Sequence, residues 1–409
     1  MYKSIFTTSI ALVFILSSFT QSASYGGGSG TADYPYQIWT SEQMNTIGTN
    51  SAGWNKYFTL MADIDMSAYT GTQYNIIGNT TKPFTGTFDG NGHIISNLTI
   101  AASSKDYVGL IGCVGFDGQI RNLGVKNVTI TGRYCVGGLA GLNYGTLTAC
   151  YAAGSVSGSE FVGGLVGFNY NTLTACYATG SVSGGSYIGG LAGYNDVYGT
   201  LTACYATGSV RGLYYVGGLA GFSDTNGTLT ACFWDIQTSG LIDGTGNKPS
   251  PSGVTGKTTA QMMTLSTFTL MAWDFTTTWT MCEGTNYPRF LWQVPVGDFV
   301  CPDRVGLEDL ALLVEKWLGV WRIDGDISDD TIVNMIDFSV ISQHWMQTGC
   351  GDCHGADITG DGNVDIEDFL FMVQQWFLHE DASCQQVDID YSGAVDFVDW
   401  AIFAENWLK

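Results

Sequence analysis

Charge is scarce in this sequence: Asp, Glu, Lys and Arg make up 13% of 409 residues, against about 25% in an average globular chain. Basic residues are scarcest, 15 against 37 acidic, for a formal net charge of −22. A chain so short of Lys and Arg cannot displace counterions from nucleic acid or be drawn to an anionic lipid surface, so neither partner is expected. Seven prolines and no Gly-X-Y period exclude a collagen-like rod. Four histidines without a His-Glu-x-x-His pair exclude the usual zinc-peptidase helix. Past the N-terminus no long apolar run recurs, and no membrane-inserted segment is expected.

The N-terminus reads as an address. Lys3 precedes an apolar stretch from Ile5 to Phe19, and Gln21-Ser22-Ala23-Ser24 supplies small residues for cleavage. This is the layout of a secretory signal peptide over residues 1–24, too short for a spanning helix. The expected destination is outside the cell or its surface. The acids are unevenly placed: Asp298 to Lys409 hold 23 of them against four bases, so a nearly neutral body carries an acidic tail.

What the body has in abundance is glycine, 55 residues, set in a repeat. Gly137-Gly138-Leu139-Ala140-Gly141 returns at Gly163, Gly189 and Gly217, and Thr-Leu-Thr-Ala-Cys travels with it to Cys150, Cys176, Cys204 and Cys232. Such a period with β-prone residues and no helical periodicity predicts a solenoid in which each repeat is one coil of short strands. The expectation is a mainly β fold: a right-handed parallel β-helix of about six coils over residues 84–236, handed as parallel crossovers usually are. Corresponding residues then stack about 4.8 Å apart. Asn143, Asn169, Asn195 and Ser223 form one such ladder; Tyr151, Tyr177, Tyr205 and Phe233 form another. Leu139, Leu165, Leu191 and Leu219 form a third. The cysteine column reads as packed thiols, because parallel stacked Cβ vectors seldom meet disulfide geometry. Residues 31–83 are expected to cap the first coil with a helix near Thr40–Met44 and a strand through Tyr57–Asp63. Residues 237–297 cap the last with a helix near Thr259–Met271 and strands near Trp279 and Leu291.

These motifs resemble the GLUG-repeat family, whose Gly-Leu-x-Gly core is here Gly138-Leu139-Ala140-Gly141 and its echoes. Some members of that family precede metallopeptidases related to the immunoglobulin-A proteases, but that catalytic part has no counterpart here. No catalytic residue is assigned. Asp196 and Asp224 each follow their Gly-Gly pair by seven residues and should stack, near the about 5 Å carboxylate separation of retaining glycosidases. Both lie in turn sequences that favour Asp for local reasons, and the few Arg and Lys are scattered over other coil positions. His93 has no nearby Ser or Cys with an orienting acid.

The tail carries metal-ligand spacing. Asp357, Thr359, Asp361, Asn363, Asp365 and Asp368 occupy positions 1, 3, 5, 7, 9 and 12 of a loop with Gly362 at its sharp turn. A second loop places Asp388, Asp390, Ser392, Ala394, Asp396 and Asp399 likewise, position 7 serving through its backbone carbonyl. Oxygen ligands in that number suit calcium. Two worn copies begin at Asp326 and Asp298; residues 298–347 hold both, and residues 357–409 the complete pair. A loop followed by one helix and closed by Asp resembles the type I dockerin, a small all-α EF-hand-like module. The resemblance implies a cohesin-like partner on a scaffold or cell surface, commonly in polysaccharide-degrading systems, and polysaccharide is the second candidate partner. Loop positions 10 and 11, where that family's recognition is decided, are Ile366-Glu367 and Phe397-Val398. Cys301, Cys350, Cys353 and Cys384 fit one or two disulfides in an exported module better than zinc. Two functions from different classes are carried forward. One is an exported, non-catalytic solenoid for adhesion, display or glycan contact. The other is a carbohydrate-active component with its site on the solenoid flank.

Overall fold

The computed structural model describes residues 25–248 and 251–294. The chain forms two compact units, residues 1–291 and 292–409. The first is a parallel β-solenoid. One coil runs through Tyr134–Gly137, Ala140–Asn143, Thr146–Thr148 and Tyr151–Ser157, and these strands belong to four sheets, here I to IV in that order. Sheets I to IV hold four, five, eight and ten strands. Register is strict: Val136 pairs with Val162, Asn143 with Asn169, Leu147 with Leu173 and Tyr151 with Tyr177.

The solenoid has about seven turns rather than about six. Sheet III already begins at Tyr36–Ile38 and Tyr57–Leu60, and Tyr57 pairs with Thr87 in parallel. These first coils carry no Gly-Gly-Leu core and their rungs are unequally spaced, so the period that marks later coils is lost in them. The expected short helix forms at Ser41–Thr49, where the Thr40 hydroxyl accepts the Gln43 N–H as an N-cap. Helical turns also form at Thr259–Met262 and Leu265–Thr269, and a short antiparallel pair at Trp279–Thr280 and Arg289–Phe290.

The core is a stack of like residues. Leu139, Leu165, Leu191 and Leu219 are fully buried, as are Leu147, Leu173 and Leu201. Each buried Leu contributes roughly 1.5–3 kcal/mol of apolar burial. Gly138 shows why the motif needs glycine: a Cβ there would stand 2.4 Å from the Gly164 carbonyl oxygen and 2.7 Å from the Ala152 Cβ. Those glycines let neighbouring coils close up.

Polar ladders are satisfied along the axis. Asn143 Nδ2 donates to Asn169 Oδ1 at 2.8 Å, and Asn169 Nδ2 to Asn195 Oδ1 at 2.9 Å. Asn195 Nδ2 reaches the Ser223 hydroxyl at 3.4 Å. Each Asn also holds the turn that follows. Asn169 Nδ2 donates to the Asn171 carbonyl, whereas Asn195 Nδ2 donates to that of Gly199, so the longer coil takes up its extra residues within this turn. The thiols of Cys150, Cys176, Cys204 and Cys232 are free and buried. Each donates to the carbonyl two residues earlier, at 3.2–3.3 Å. Burial pushes the Cys176, Cys204 and Cys232 thiols well above their ordinary range.

Candidate ligand-contact face

Strand alternation sends Asn169 inward and its neighbour Phe168 outward. Repetition then makes aromatic rows on the outer faces of sheets I and II. Phe168, Tyr194 and Phe222 stack with ring centroids 4.8 and 4.9 Å apart. Phe161, Tyr187 and Tyr215 stack beside them at 4.7 and 4.8 Å. The rows meet edge to face, as Phe161 does with Tyr194 at 5.8 Å. The second row is held in an unfavourable backbone form, with φ of 55° at Phe161, 59° at Tyr187 and 53° at Tyr215. For bulky residues that left-handed conformation costs roughly 1–2 kcal/mol each, a strain that clusters at functional positions.

Stacked rings hide their faces from solvent and show edges. The corner between sheets II and III is different. Phe116, Tyr144, Tyr170 and Tyr198 are neighbours at 5.0, 5.1 and 5.2 Å, but successive planes are inclined by 29°, 62° and 47°. Phe116 and Tyr198 are 67% and 66% exposed. The two outer rings, Phe116 and Tyr198, are therefore open to solvent, while Tyr144 and Tyr170 between them are half-buried. Phe116 also walls a depression of about 400 Å³ along sheet III, shared with Asn55, Tyr57, Thr87, Asp117 and Gln119. Open aromatic faces beside hydroxyl and amide groups, with one carboxylate, are the equipment for holding a polyhydroxylated ligand.

Asp196 and Asp224 stand on successive coils, as their spacing predicts: the Asp196 N–H donates to the Asn169 carbonyl and the Asp224 N–H to that of Asn195. Asp224 Oδ1 accepts the Thr225 N–H and Oδ2 accepts the Tyr194 hydroxyl at 3.2 Å. The Thr225 N–H holds Asp224 below the usual carboxylate range, while burial, with Asp224 next, pushes the Tyr194 phenol up to about 12. Lys248 Nζ meets the Asp224 backbone carbonyl at 3.3 Å. Elsewhere Arg121 pairs with Asp89 at 2.7 Å, and Arg133 holds Asp106 through two 2.7 Å bonds. His93 does have an acid, Asp63, at 3.2 Å from Nδ1. It comes from the preceding coil, which sequence distance concealed.

Among the described residues no group of three or more His, Cys, Asp or Glu can hold a metal ion. The loop residues Asp357 to Asp368 and Asp388 to Asp399, with Ile366, Glu367, Phe397 and Val398, lie outside the described residues, as do residues 1–24, where a signal peptide is expected, and Cys301, Cys350, Cys353 and Cys384. Cys282 is disulfide-bonded. No helix of the described residues is long and apolar enough to cross a membrane.

The GLUG motif family matches residues 132–157, 158–183 and 184–211, three consecutive coils of the solenoid. The type I dockerin domain family matches residues 324–376. The chain carries GLUG repeats and a type I dockerin domain. The dockerin match takes in the loop at Asp326, with Thr331 in the place that Gly362 holds in the loop at Asp357, together with that loop itself, and ends before the one at Asp388. Its centre thus lies one loop earlier than the pair at 357–409. Curated relatives include halomucin of Haloquadratum walsbyi, 38% identical over 140 residues, which are 32% of this chain and 2% of that protein. A candidate Gly-rich membrane protein of Evansella cellulosilytica is 35% identical over 132 residues, 31% of this chain and 15% of that one. This chain therefore matches only a small part of either curated relative. A candidate immunoglobulin A1 protease from Bacteroides ovatus superposes with a TM-score of 0.49 at 24% identity, over 65% of this chain and 94% of that one.

Proposed function

We propose that this chain is an exported, non-catalytic glycan-contacting solenoid, held to a cohesin-bearing scaffold or surface protein by its dockerin region. The dockerin match supports the attachment and the extracellular or cell-surface role. The observation that carries the glycan reading is the corner row Phe116, Tyr144, Tyr170 and Tyr198, exposed at Phe116 and Tyr198, set beside the polar depression. The solenoid supplies a rigid platform, since each ring stands on a hydrogen-bonded coil. Calcium fits the oxygen donors of Asp357–Asp368 and Asp388–Asp399, and when bound it relieves the repulsion among their carboxylates.

Affinity electrophoresis against a panel of soluble plant and microbial polysaccharides, with product release assayed in parallel, tests this reading. Retardation by at least one polysaccharide, lost in Phe116→Ala and without released sugars, is the expected result. No retardation by any polysaccharide would refute glycan contact. Sugar release abolished by Asp196→Asn or Asp224→Asn would establish the carbohydrate-active alternative. Chelation should remove helical circular dichroism and calorimetric calcium uptake while leaving the β-signal. A tail that takes up no calcium refutes the attachment mechanism.

A further inference from the structure

The aromatic face ends in two carboxylates, and their surroundings select a ligand charge. Asp196 and Asp224 continue the column that holds Tyr144 and Tyr170 in earlier coils: each of these four residues directly follows the ladder residue Asn143, Asn169, Asn195 or Ser223. Among the described residues, the enclosed Oδ1 of Asp196 accepts no hydrogen bond. Asp224, by contrast, is met by Thr225, by the Tyr194 hydroxyl and by the ammonium of Lys248 at its backbone carbonyl. Both carboxylate oxygens of Asp224 are thus engaged, and the carboxylate with an unmet oxygen is Asp196.

Asp196 follows Asn195 as Tyr170 follows Asn169 on the coil before, so the two stand at corresponding places on adjacent coils. Tyr170 has its phenol raised by burial, then by Tyr198 and by Asp196, and the Tyr194 phenol also feels Asp196. Tyr198 lies 5.2 Å from Tyr170, ring to ring, and is mostly exposed. A hard divalent ion asks for six to eight oxygens, which this place does not offer. An organic ammonium is satisfied by one carboxylate and the faces of aromatic rings. Lys248 already shows an ammonium accommodated one coil away.

We propose that this end of the face is a subsite for a protonated amino sugar, so that the preferred ligand is a glycan bearing free 2-amino groups rather than a neutral or N-acetylated one. One ammonium sits at the open side of Asp196, its sugar ring against Tyr198, and the rest of the chain extends over the corner rings toward the Phe116 depression. The proposal rests on the glycan-contact reading and specifies its charge.

Titration calorimetry on the full chain, with calcium saturating, compares three hexasaccharides at a pH where the amine is protonated: glucosamine, N-acetylglucosamine and β-1,4-glucose. The expected result is at least tenfold tighter binding of the glucosamine oligomer. Asp196→Asn, matched in shape, should erase that preference while leaving residual neutral binding, and Tyr198→Ala should weaken all three ligands. Equal affinity for the three in the wild type overturns the amine subsite and leaves glycan contact standing. A preference that survives both Asp196→Asn and Asp224→Asn also overturns it, by placing the amine on other acids. Binding of none of the three oligomers overturns this specificity; the broader reading then fails only if the polysaccharide panel is negative as well. Spermine serves as the control for unspecific attraction to a chain of net charge −22. Spermine binding that matches the glucosamine oligomer and ignores Tyr198→Ala counts against the proposal.

Discussion

Two aromatic ladders run up this solenoid on different sheets, and their fates differ. Tyr151, Tyr177 and Tyr205 on sheet IV stack at 4.9 and 4.8 Å, the same rise as Phe168, Tyr194 and Phe222 on sheet II. The sheet IV ladder is 1–5% exposed because the chain returns over it. Trp273 lies against Phe233 and Tyr205, Trp279 against Tyr205 and Tyr177, and Phe290 against Tyr177 and Tyr151. The Tyr205 hydroxyl fastens the returning segment by donating to the Pro288 carbonyl. At its upper end Asp235, wholly buried, accepts from the Thr259 hydroxyl and the Tyr287 hydroxyl, both at 2.7 Å. No such segment among the described residues crosses sheets I and II. Stacked rings alone are therefore a building habit of the repeat; what separates structure from contact surface is the presence or absence of cover.

That contrast can be broken by substitution. The largest effect belongs to Trp279→Ala, which removes a 1% exposed indole from between the ladder and Phe290 and should cost about 3–5 kcal/mol in denaturant unfolding, without altering glycan retardation. A loss below 1 kcal/mol would mean that the cover is not integral. Next comes Asn169→Ala, beneath both faces. It leaves the Asn143 donor and the Asn195 acceptor without their partner, at about 1–3 kcal/mol for each group so stranded, and should loosen both ladders together in hydrogen exchange.

A smaller effect of opposite sign is expected at Ala203, which precedes the covered ladder at φ 51°. Ala203→Gly relieves about 1–2 kcal/mol of left-handed strain against about 0.5–1 kcal/mol of added chain entropy, so the melting temperature should hold or rise slightly. Tyr187→Gly relieves the same strain but forfeits stacking on Phe161 and Tyr215, and should lower it. The smallest change in stability, within about 0.5 kcal/mol, belongs to Tyr198→Ala, an exposed ring whose removal should register in ligand binding alone.

Much of this was legible in the residues. The Gly-Gly-Leu and Thr-Leu-Thr-Ala-Cys spacings predict coils, and the structure pairs Asn143 with Asn169 and Tyr151 with Tyr177 as that spacing requires. The thiol column is packed and free, and Asp196 and Asp224 do occupy neighbouring coils. The stacked outer row was equally available, since Phe161, Tyr187 and Tyr215 share the period of the glycines ahead of Gly163, Gly189 and Gly217. Its identity changes from Cys135 to Phe to Tyr, so it lacks the constancy of the glycine and leucine columns. Other features carry no local signal. Alanine does not announce the positive φ of Ala149, Ala175, Ala203 and Ala231, which is imposed by the corner between sheets III and IV. The returning segment is set by contacts between residues as distant as Tyr205 and Pro288, and the Asp63–His93 pair by the stacking of coils. The rungs before residue 84, Tyr36–Ile38 and Tyr57–Leu60, carry no such signal because Phe58 fills the core there without the glycine-punctuated motif.

The turn that each ladder asparagine holds has a consequence for descent. Where Asn169 closes onto Asn171, Asn195 closes onto Gly199 with the ladder above and below undisturbed. A coil can thus lengthen at this corner without its neighbours registering the change, since the core pairs Leu173 with Leu201 whatever lies between. Tyr198, the most exposed ring of the corner row apart from Phe116, stands on that inserted stretch. Duplication of whole coils would copy the scaffold, while small insertions at one turn would diversify only what a ligand meets. Heritable variation is channelled to the outer surface by the geometry of a single side-chain amide.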